Sequence, residues 1–197
     1  AAGANAALSI AQVDAAAALI QSAALLICQL ESPVAVVQHA MGLAHAAGVT
    51  VLLNPAPAQP LPDELLALVD LLVPNETEAA VLAPSPAGAA FSAATAARQL
   101  QQRGPRVVMV TLGADGVLLA TEEGCRALPA PPVRAVDTTG AGDTFIGAFA
   151  AATCAGARLH AAIEFAQRAA AFSVQRAGTW DAMPSLRDLG GLPVSLP

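Results

Sequence analysis

Residues 137–149, with the sequence DTTGAGDTFIGAF, place the strongest constraint on how this chain can fold. Two threonines, two glycines around an alanine, and one carboxylate lead directly into an apolar run, which is typical of a loop that ends where a helix begins. If the helix begins near Ala141, four consecutive amides are unpaired and lie at the positive end of the helix dipole. These amides belong to Gly140, Ala141, Gly142 and Asp143. Such an end binds anions, so the sequence predicts an anion site here.

The carboxylate of Asp143 lies at the mouth of this predicted site. Gly140 and Gly142 let a phosphate approach the backbone closely, whereas a carboxylate repels it. One interpretation is that Asp143 is a general base, which removes a proton from a hydroxyl that attacks phosphorus. The other is that Asp143 only caps the helix. The G-A-G-D string alone supports both interpretations.

Composition excludes several classes of protein. The 197 residues predict a single domain, 1–197, and no apolar stretch approaches the length of a membrane-spanning helix. A net charge of −6 without a basic cluster argues against a nucleic-acid partner. All nine cationic side chains are arginine, which excludes P-loop and protein kinases, because both need a lysine on the phosphates. The three cysteines have no CxxC spacing, and we expect a reducing, cytoplasmic location.

Short apolar runs alternate with helical segments over the first two thirds of the chain. Predicted strands cover 25–31, 49–57, 71–75 and 106–113, and predicted helices cover 12–23, 33–47, 62–70 and a segment that ends at Gly104 after a Pro/Gly turn at 84–88. Residues 116–130 predict a hairpin with its turn near Gly124, and a last helix is predicted over 159–178. This alternation predicts an α/β protein with a parallel sheet.

Polar side chains follow two of these strands. Glu31 ends the first strand, while Asn75 follows the third and is joined by Glu78 one turn later. Ligands of open α/β sheets bind at the carboxyl ends of the strands, on the rim where we also expect Asp143. Glu31 is also compatible with an ordinary solvated strand end, and Asn75 and Glu78 with helix capping.

The segment TLGADGV, 111–117, follows the fourth strand. A threonine and two glycines after a buried strand suit the close approach of a phosphate chain, although Asp-Gly is also common in tight turns. Both interpretations are compatible, since a turn that positions a hairpin can still bind phosphate.

Taken together, several motifs resemble the ribokinase-type carbohydrate kinase family. They are GANAALS, QLESP, LNPAPAQPLPDELLALVDLLVPNETEA, TLGADGV and DTTGAGDTFIGAF, in that order along the chain. The resemblance implies a three-layer αβα sandwich with a mainly parallel, doubly wound sheet. It also implies ATP-dependent phosphorylation of D-ribose to ribose 5-phosphate, with a small-molecule sugar and ATP as partners. A nucleotide-binding module without efficient turnover, and a family kinase for another sugar or nucleoside, are the alternatives.

The same resemblance assigns roles to individual residues. It makes Asp143 the base for the sugar hydroxyl, with residues 140–142 forming the anion hole, and Glu31 a sugar ligand. It places Asn75 on the nucleotide and gives Glu78 the water network around Mg²⁺ and the phosphates. The remaining residues of the implied ATP site are Thr111, Leu112, Gly113, Ala114, Asp115, Gly116, Gly142 and Gln167; the family often has histidine or asparagine where this chain has Gln167.

A monovalent-cation site for K⁺ is implied as well. Asp137 and Thr139 resemble its ligands, joined by backbone groups near Ser173, Arg176 and Gly178. Ribokinases often offer a serine to the cation where this chain has an alanine, Ala182.

Family members begin with a G-G-K-G-A-N-type sugar-binding motif and a small sheet that acts as a lid and mediates dimerisation. Nothing before Ala1 corresponds to this segment. We therefore expect the chain to be a C-terminal portion in which the lid is absent, and the full-length form to be a homodimer.

Overall fold

The fold is described from a computed structural model, for residues 3–84 and 90–193. The chain divides into two compact units. The first comprises the residues up to Leu112 together with Leu118–Ala127, and the second comprises Gly113–Val117 and the residues from Leu128 onward. That 1–197 is a single domain stays a prediction. Most of the predicted Pro/Gly turn at 84–88 lies outside the described residues.

A six-stranded sheet organises the first unit, with its strands in the order β1-β2-β3-β4-β5-β6. The first four strands pair in parallel, as their apolar sequences predict. A two-residue turn joins β5 to β6, so this last pair is antiparallel, and the predicted hairpin is confirmed. The strands are β1 Leu25–Cys28, β2 Thr50–Leu53, β3 Leu71–Leu72, β4 Val107–Thr111, β5 Val117–Thr121 and β6 Gly124–Leu128.

Helices pack against this sheet and bury an aliphatic core. They are α1 Ile10–Ala15, α2 Ala17–Gln21, α3 Val34–Ala46, α4 Asp63–Leu66, α5 Glu76–Leu82 and α6 Ala93–Gln101, preceded by a short 3-10 helix, Gly3–Ala7. The side chains of Met41, Leu53, Leu66 and Val110 are completely buried in the core. Burial of each such side chain contributes about 1.5–3 kcal/mol to folding, so this core stabilises the packing of the helices on the sheet.

Several predicted boundaries in this unit are wrong. The helix predicted over 12–23 is two helices, because the backbone leaves helical geometry at Ala16 (φ −99°, ψ 4°) and both parts pack on α3. The strands predicted over 25–31 and 49–57 end at Cys28 and Leu53. After β2, Pro55 cannot donate to the ladder, and after β1 the backbone bends at residues 30–32. Glu31 consequently lies in the loop after β1 rather than in the strand.

The second unit contains two long helices that pack on each other, α7 Ala141–Cys154 and α8 Leu159–Ser173. Buried aromatic side chains, among them Phe149 and Phe165, fill the space beside them. Helix α7 begins at Ala141, which confirms the prediction. Helix α8 ends at Ser173 and not at Gly178, because the carbonyl of Val174 accepts hydrogen bonds from the amides of residues 136 and 137, at 2.7 and 3.1 Å.

Within the described ranges 3–84 and 90–193, no helix combines the length and the apolar character that crossing a bilayer requires.

Candidate active site

The N-terminus of α7 is built as the glycine pattern predicts, with one correction. Gly140 precedes the helix in the left-handed conformation (φ 74°, ψ 6°), which suits glycine. The amide of Ala141 donates to the carbonyl of Thr138 at 3.2 Å, so its prediction as an unpaired amide is wrong. Among the residues that the structure describes, the amides of Gly140, Gly142 and Asp143 have no hydrogen-bond partner. Three donors therefore remain for an anion.

Glycine at position 142 is not explained by packing or by backbone strain. A methyl group built there meets no atom within 4 Å, and its φ is not in the left-handed region. Glycine in a helix costs about 0.5–1 kcal/mol relative to alanine. Gly142 is exposed, and its own amide and that of Asp143 are unpaired. Because the space beside it is open, a ligand has room to approach the backbone closely at this position.

The side chain of Asp143 does not cap α7. It occupies the third helical position and is exposed, and it makes no hydrogen bond within the described part of the chain. Glu78 holds the same third position in α5 and does form a capping box with Asn75. The alternative in which Asp143 serves as a helix cap is thus not realised, and its carboxylate is available to a ligand.

Asp137 connects the loop before α7 to the segment after α8. Its Oδ1 accepts from the amide of Thr139 at 2.9 Å, and its Oδ2 accepts from the amide of Gly178 at 3.0 Å. Hydrogen bonding from the Thr139 side chain, then from the Thr139 and Gly178 amides, holds the pKa of Asp137 below its usual value. Because these hydrogen bonds stabilise the charged form, Asp137 presents an ionised carboxylate. They also bring together three of the predicted cation ligands, Asp137, Thr139 and Gly178.

The other predicted cation ligands are engaged within the protein through their side chains. The hydroxyl of Ser173 is buried and donates to the carbonyl of Ala170 at 2.9 Å. The guanidinium of Arg176 lies over the ring of Phe172, 4.1 Å from its centroid. Only backbone groups of these two residues are thus open to a cation. Across the described residues, no three His, Cys, Asp or Glu side chains form a metal-binding group.

The loop 113–116 is fixed by its own chain. It forms a 3-10 helix, Gly113–Asp115, and a methyl group at Gly116 (φ 95°) would lie 2.1 Å from the carbonyl oxygen of Leu128. Glycine at 116 is thus required by the approach of residues 128–130, whereas a methyl group at Gly113 meets open space. The buried amide of Gln167 donates to the same Leu128 carbonyl at 2.7 Å. Two predicted ATP-site residues, Gly116 and Gln167, thus both lie against the carbonyl of Leu128. No sequence signal indicated this position for Leu128.

In the first unit, polar groups collect where the parallel strands end. The backbone of Asn75 forms an isolated parallel β-bridge with Thr111, and the amide of Thr111 donates to the Pro74 carbonyl at 2.9 Å. Sequence reasoning missed Asn54, whose amide nitrogen Nδ2 donates to the carbonyl of Val73 at 2.9 Å. Asn54 directly follows β2 in the N-P-A-P string. This position at a strand end could have indicated that its side chain forms a hydrogen bond to the residue that follows β3.

Asn75 and Glu78 form a closed hydrogen-bond pair. Glu78 Oε1 and Oε2 accept from the side-chain and backbone nitrogens of Asn75 at 2.9 and 2.8 Å, and Asn75 Oδ1 accepts from the Glu78 amide at 2.9 Å. Burial raises the pKa of Glu78, partly opposed by the hydrogen bond from the Asn75 backbone. Helix capping by these two residues is confirmed, and a nucleotide role stays a prediction.

Glu31 is exposed in the loop after β1. Its Oε2 accepts from Nδ2 of Asn5 at 3.3 Å, a contact between segments 26 residues apart that sequence reasoning did not predict.

A family model described as "pfkB family carbohydrate kinase" matches residues 2–186. The chain belongs to this family. The resemblance identified from the motifs, and with it a kinase family, is confirmed. The chain is 42% identical over 188 residues to the ribokinase of Haemophilus influenzae, covering 95% of this chain and 61% of that protein. It is 40% identical over 185 residues to a deoxyribokinase of Salmonella typhi, covering 93% and 60%.

Solved structures confirm the predicted ribokinase-like α/β fold. A ribokinase from Thermotoga maritima matches with a TM-score of 0.88 and 33% identity, over 96% of this chain and 62% of that one. An Arabidopsis thaliana ribokinase, solved with ribose and ATP, matches with a TM-score of 0.83 and 32% identity, over 89% and 57%. The chain thus spans about three fifths of the length of these relatives.

Proposed function

We propose that the chain carries the phosphoryl-transfer site of an ATP-dependent sugar kinase that converts D-ribose to ribose 5-phosphate. The observation that supports this most directly is the N-terminus of α7, where unpaired amides and open space at Gly142 adjoin the exposed, uncapped carboxylate of Asp143. An anion-binding end with a carboxylate in its mouth suits a reaction in which a hydroxyl loses its proton beside a phosphoryl group.

In the proposed reaction, Asp143 accepts the proton of the sugar 5-hydroxyl. The oxygen then bonds to the γ-phosphorus of ATP, while the bond from that phosphorus to the bridging oxygen breaks and ADP leaves. The amides of Gly140, Gly142 and Asp143 donate to the oxygens of the transferring group, where negative charge develops. Removal of one such donor in other enzymes costs about 10²–10³ in turnover, so we assign these amides a large share of the catalysis.

We also propose that the kinase uses ATP together with Mg²⁺. The residues that we assign to the nucleotide are Asn75, Thr111, the loop 113–116 and Gln167. Mg²⁺ supplies positive charge to the phosphates of bound ATP, and the chain itself has no lysine for this purpose. Since both oxygens of Glu78 already accept from Asn75, its proposed contact with the ion is through water.

A second candidate substrate comes from the relatives. The identity to a deoxyribokinase is nearly as high as that to a ribokinase, so the relatives alone do not select between the two sugars. Turnover with ribose, 2-deoxyribose, fructose and a nucleoside separates these candidates. The proposal for ribose requires that ribose has the highest kcat/KM of the four.

When the chain of 197 residues is tested alone, it should keep nucleotide binding but lose most of its sugar turnover. We expect the chain to bind ATP with Mg²⁺ weakly in titration calorimetry but to form little ribose 5-phosphate. The reason is that it spans about three fifths of its relatives, and precise positioning of both reactants contributes on the order of 7–11 kcal/mol in well-oriented systems. The intact enzyme, meaning the chain with any natural sequence that adjoins it, should turn over at about 1–100 s⁻¹.

Two results would contradict these expectations. Fast formation of ribose 5-phosphate by the 197-residue chain would show that it needs nothing further. An intact enzyme that binds nucleotide but phosphorylates no sugar would leave the module without turnover as the better description.

We further propose that K⁺ binds beside Asp137, through its ionised carboxylate and backbone carbonyls. The side chain of Ala182 is buried, so the hydroxyl of an Ala182→Ser variant would be shielded from water. Contact with a cation would then stabilise this hydroxyl by giving it a polar partner. We expect this variant of the intact enzyme to reach half-maximal activation at a lower K⁺ concentration than the wild type. Ala151→Ser, on the exposed side of α7, makes the same chemical change and should not shift the titration. Equal half-saturation for all three proteins would contradict the assignment.

A further inference from the structure

Asn5 lies in a segment that little else holds in place. The 3-10 helix Gly3–Ala7 contains no buried residue, so packing contributes little to its position. Its link to the loop after β1 is the hydrogen bond from Nδ2 of Asn5 to Oε2 of Glu31, at 3.3 Å. Within the described ranges, the second carboxylate oxygen of Glu31, Oε1, has no protein partner. One oxygen of Glu31 is thus held, and the other is open to a ligand.

This division matters for a carboxylate that accepts from a sugar hydroxyl. An exposed glutamate samples many rotamers, and fixing its side chain on binding costs up to about 1.5–2 kcal/mol. A donor that already holds one oxygen removes part of this cost before the sugar arrives. An amide suits this purpose because it is uncharged, whereas a lysine or arginine would neutralise the carboxylate and weaken it as an acceptor for a hydroxyl.

We propose that Asn5 is a positioning residue for the sugar, which acts by holding Glu31 so that Oε1 is presented to a substrate hydroxyl. This inference rests on the proposed function, and specifically on Glu31 as a sugar ligand. Asn5 does not touch the reacting atoms, so its loss should weaken sugar binding and leave the chemical step intact.

Steady-state kinetics of the intact enzyme test this proposal with three variants. We expect Asn5→Ala to raise KM for ribose by about tenfold, as loss of one hydrogen bond to a charged group does, with kcat and KM for ATP almost unchanged. Glu31→Gln should raise KM for ribose at least as much. Ala6→Gly loosens the same 3-10 helix without removing the amide, and should leave KM for ribose close to the wild-type value.

The pH dependence of KM for ribose provides a further test, because it would not change if Asn5 had a purely structural role. In Asn5→Asp two carboxylates face each other, so their mutual repulsion raises the pKa of one of them. When both are ionised at high pH, Glu31 is pushed away. When one is protonated, its O–H replaces the lost amide donor. We therefore expect KM for ribose in Asn5→Asp to fall as pH is lowered from about 8 to about 5, relative to the wild type.

The outcomes separate this inference from the proposed function. If Glu31→Gln leaves KM for ribose unchanged, Glu31 is not a sugar ligand, and that part of the proposed function fails together with the inference. If Glu31→Gln raises KM but Asn5→Ala does not, only the positioning role is overturned. An increase in Ala6→Gly equal to that in Asn5→Ala would also overturn it, because the order of the segment and not the amide would then be responsible.

Discussion

Replacement of Asp143 by asparagine should lower kcat of the intact enzyme by at least about a hundredfold, as loss of a general base does. Asparagine has almost the same shape but cannot accept the proton of the sugar hydroxyl. The affinity for ATP should stay the same or increase slightly, since a negative charge beside the phosphates is removed. Single-turnover kinetics and nucleotide titration measure the two quantities separately, and a loss confined to kcat indicates an interaction made in the transition state.

The fold offers a clear control for this substitution. The Asp143 side chain is exposed and makes no hydrogen bond among the described residues, so Asp143→Asn should remove only its interaction with the helix dipole, about 0.3–1 kcal/mol. Glu64→Gln removes an exposed carboxylate from the first turn of α4 and should shift the thermal midpoint by a similar small amount without affecting kcat. Unchanged turnover in Asp143→Asn would show that the carboxylate is not the base.

Local signals in the sequence predicted the parts of the fold that depend on neighbours in the chain. The start of α7 follows from glycines before an apolar run, and the α5 cap follows from an asparagine three residues before a glutamate. The hairpin β5–β6 follows from two apolar strands around a short polar turn. In each case the residues that decide the geometry lie within one or two turns of the chain.

Features that depend on distant segments were not predicted. The end of α8 is decided by amides at 136 and 137, which take the Val174 carbonyl, and these lie almost 40 residues earlier in the chain. The break at Ala16 falls in a run of four alanines, where no residue type signals a boundary. The contact of Asn5 with Glu31 likewise joins segments that only the folded chain brings together.

Two glycines of the candidate site, at positions 116 and 142, have different surroundings that the sequence alone does not reveal. Gly116 and Gly142 both occur in motifs that suit phosphate, yet the structure separates them. At Gly116 the chain's own backbone occupies the space where a side chain would be, so its glycine has a structural reason. At Gly142 that space is empty, so the described residues give no structural reason for glycine there, and a closely approaching ligand is the reason that we propose. Only coordinates can make this distinction.

A substitution at Gly142 should consequently raise stability while lowering activity. Alanine is the better helix former by up to about 1 kcal/mol, and the new methyl group meets no protein atom, so Gly142→Ala should unfold at a slightly higher temperature or denaturant concentration. The same methyl group would occupy the space before the unpaired amides. Loss of one such donor costs about 10²–10³ in turnover in other enzymes, and we expect a decrease of this order in kcat for the intact enzyme.

Gly147 provides the matched control, because it lies in the same helix, is exposed, and also has open space at the position of a Cβ atom. Gly147→Ala should show the same gain in stability, measured as the free energy of unfolding in denaturant, with unchanged turnover. Opposite effects on stability and activity in Gly142→Ala, set against a gain in stability alone in Gly147→Ala, separate a ligand-binding glycine from an ordinary helical one. If both alanine variants keep full turnover, phosphate does not approach the backbone at Gly142, and the anion site at α7 is not where the phosphoryl group is transferred.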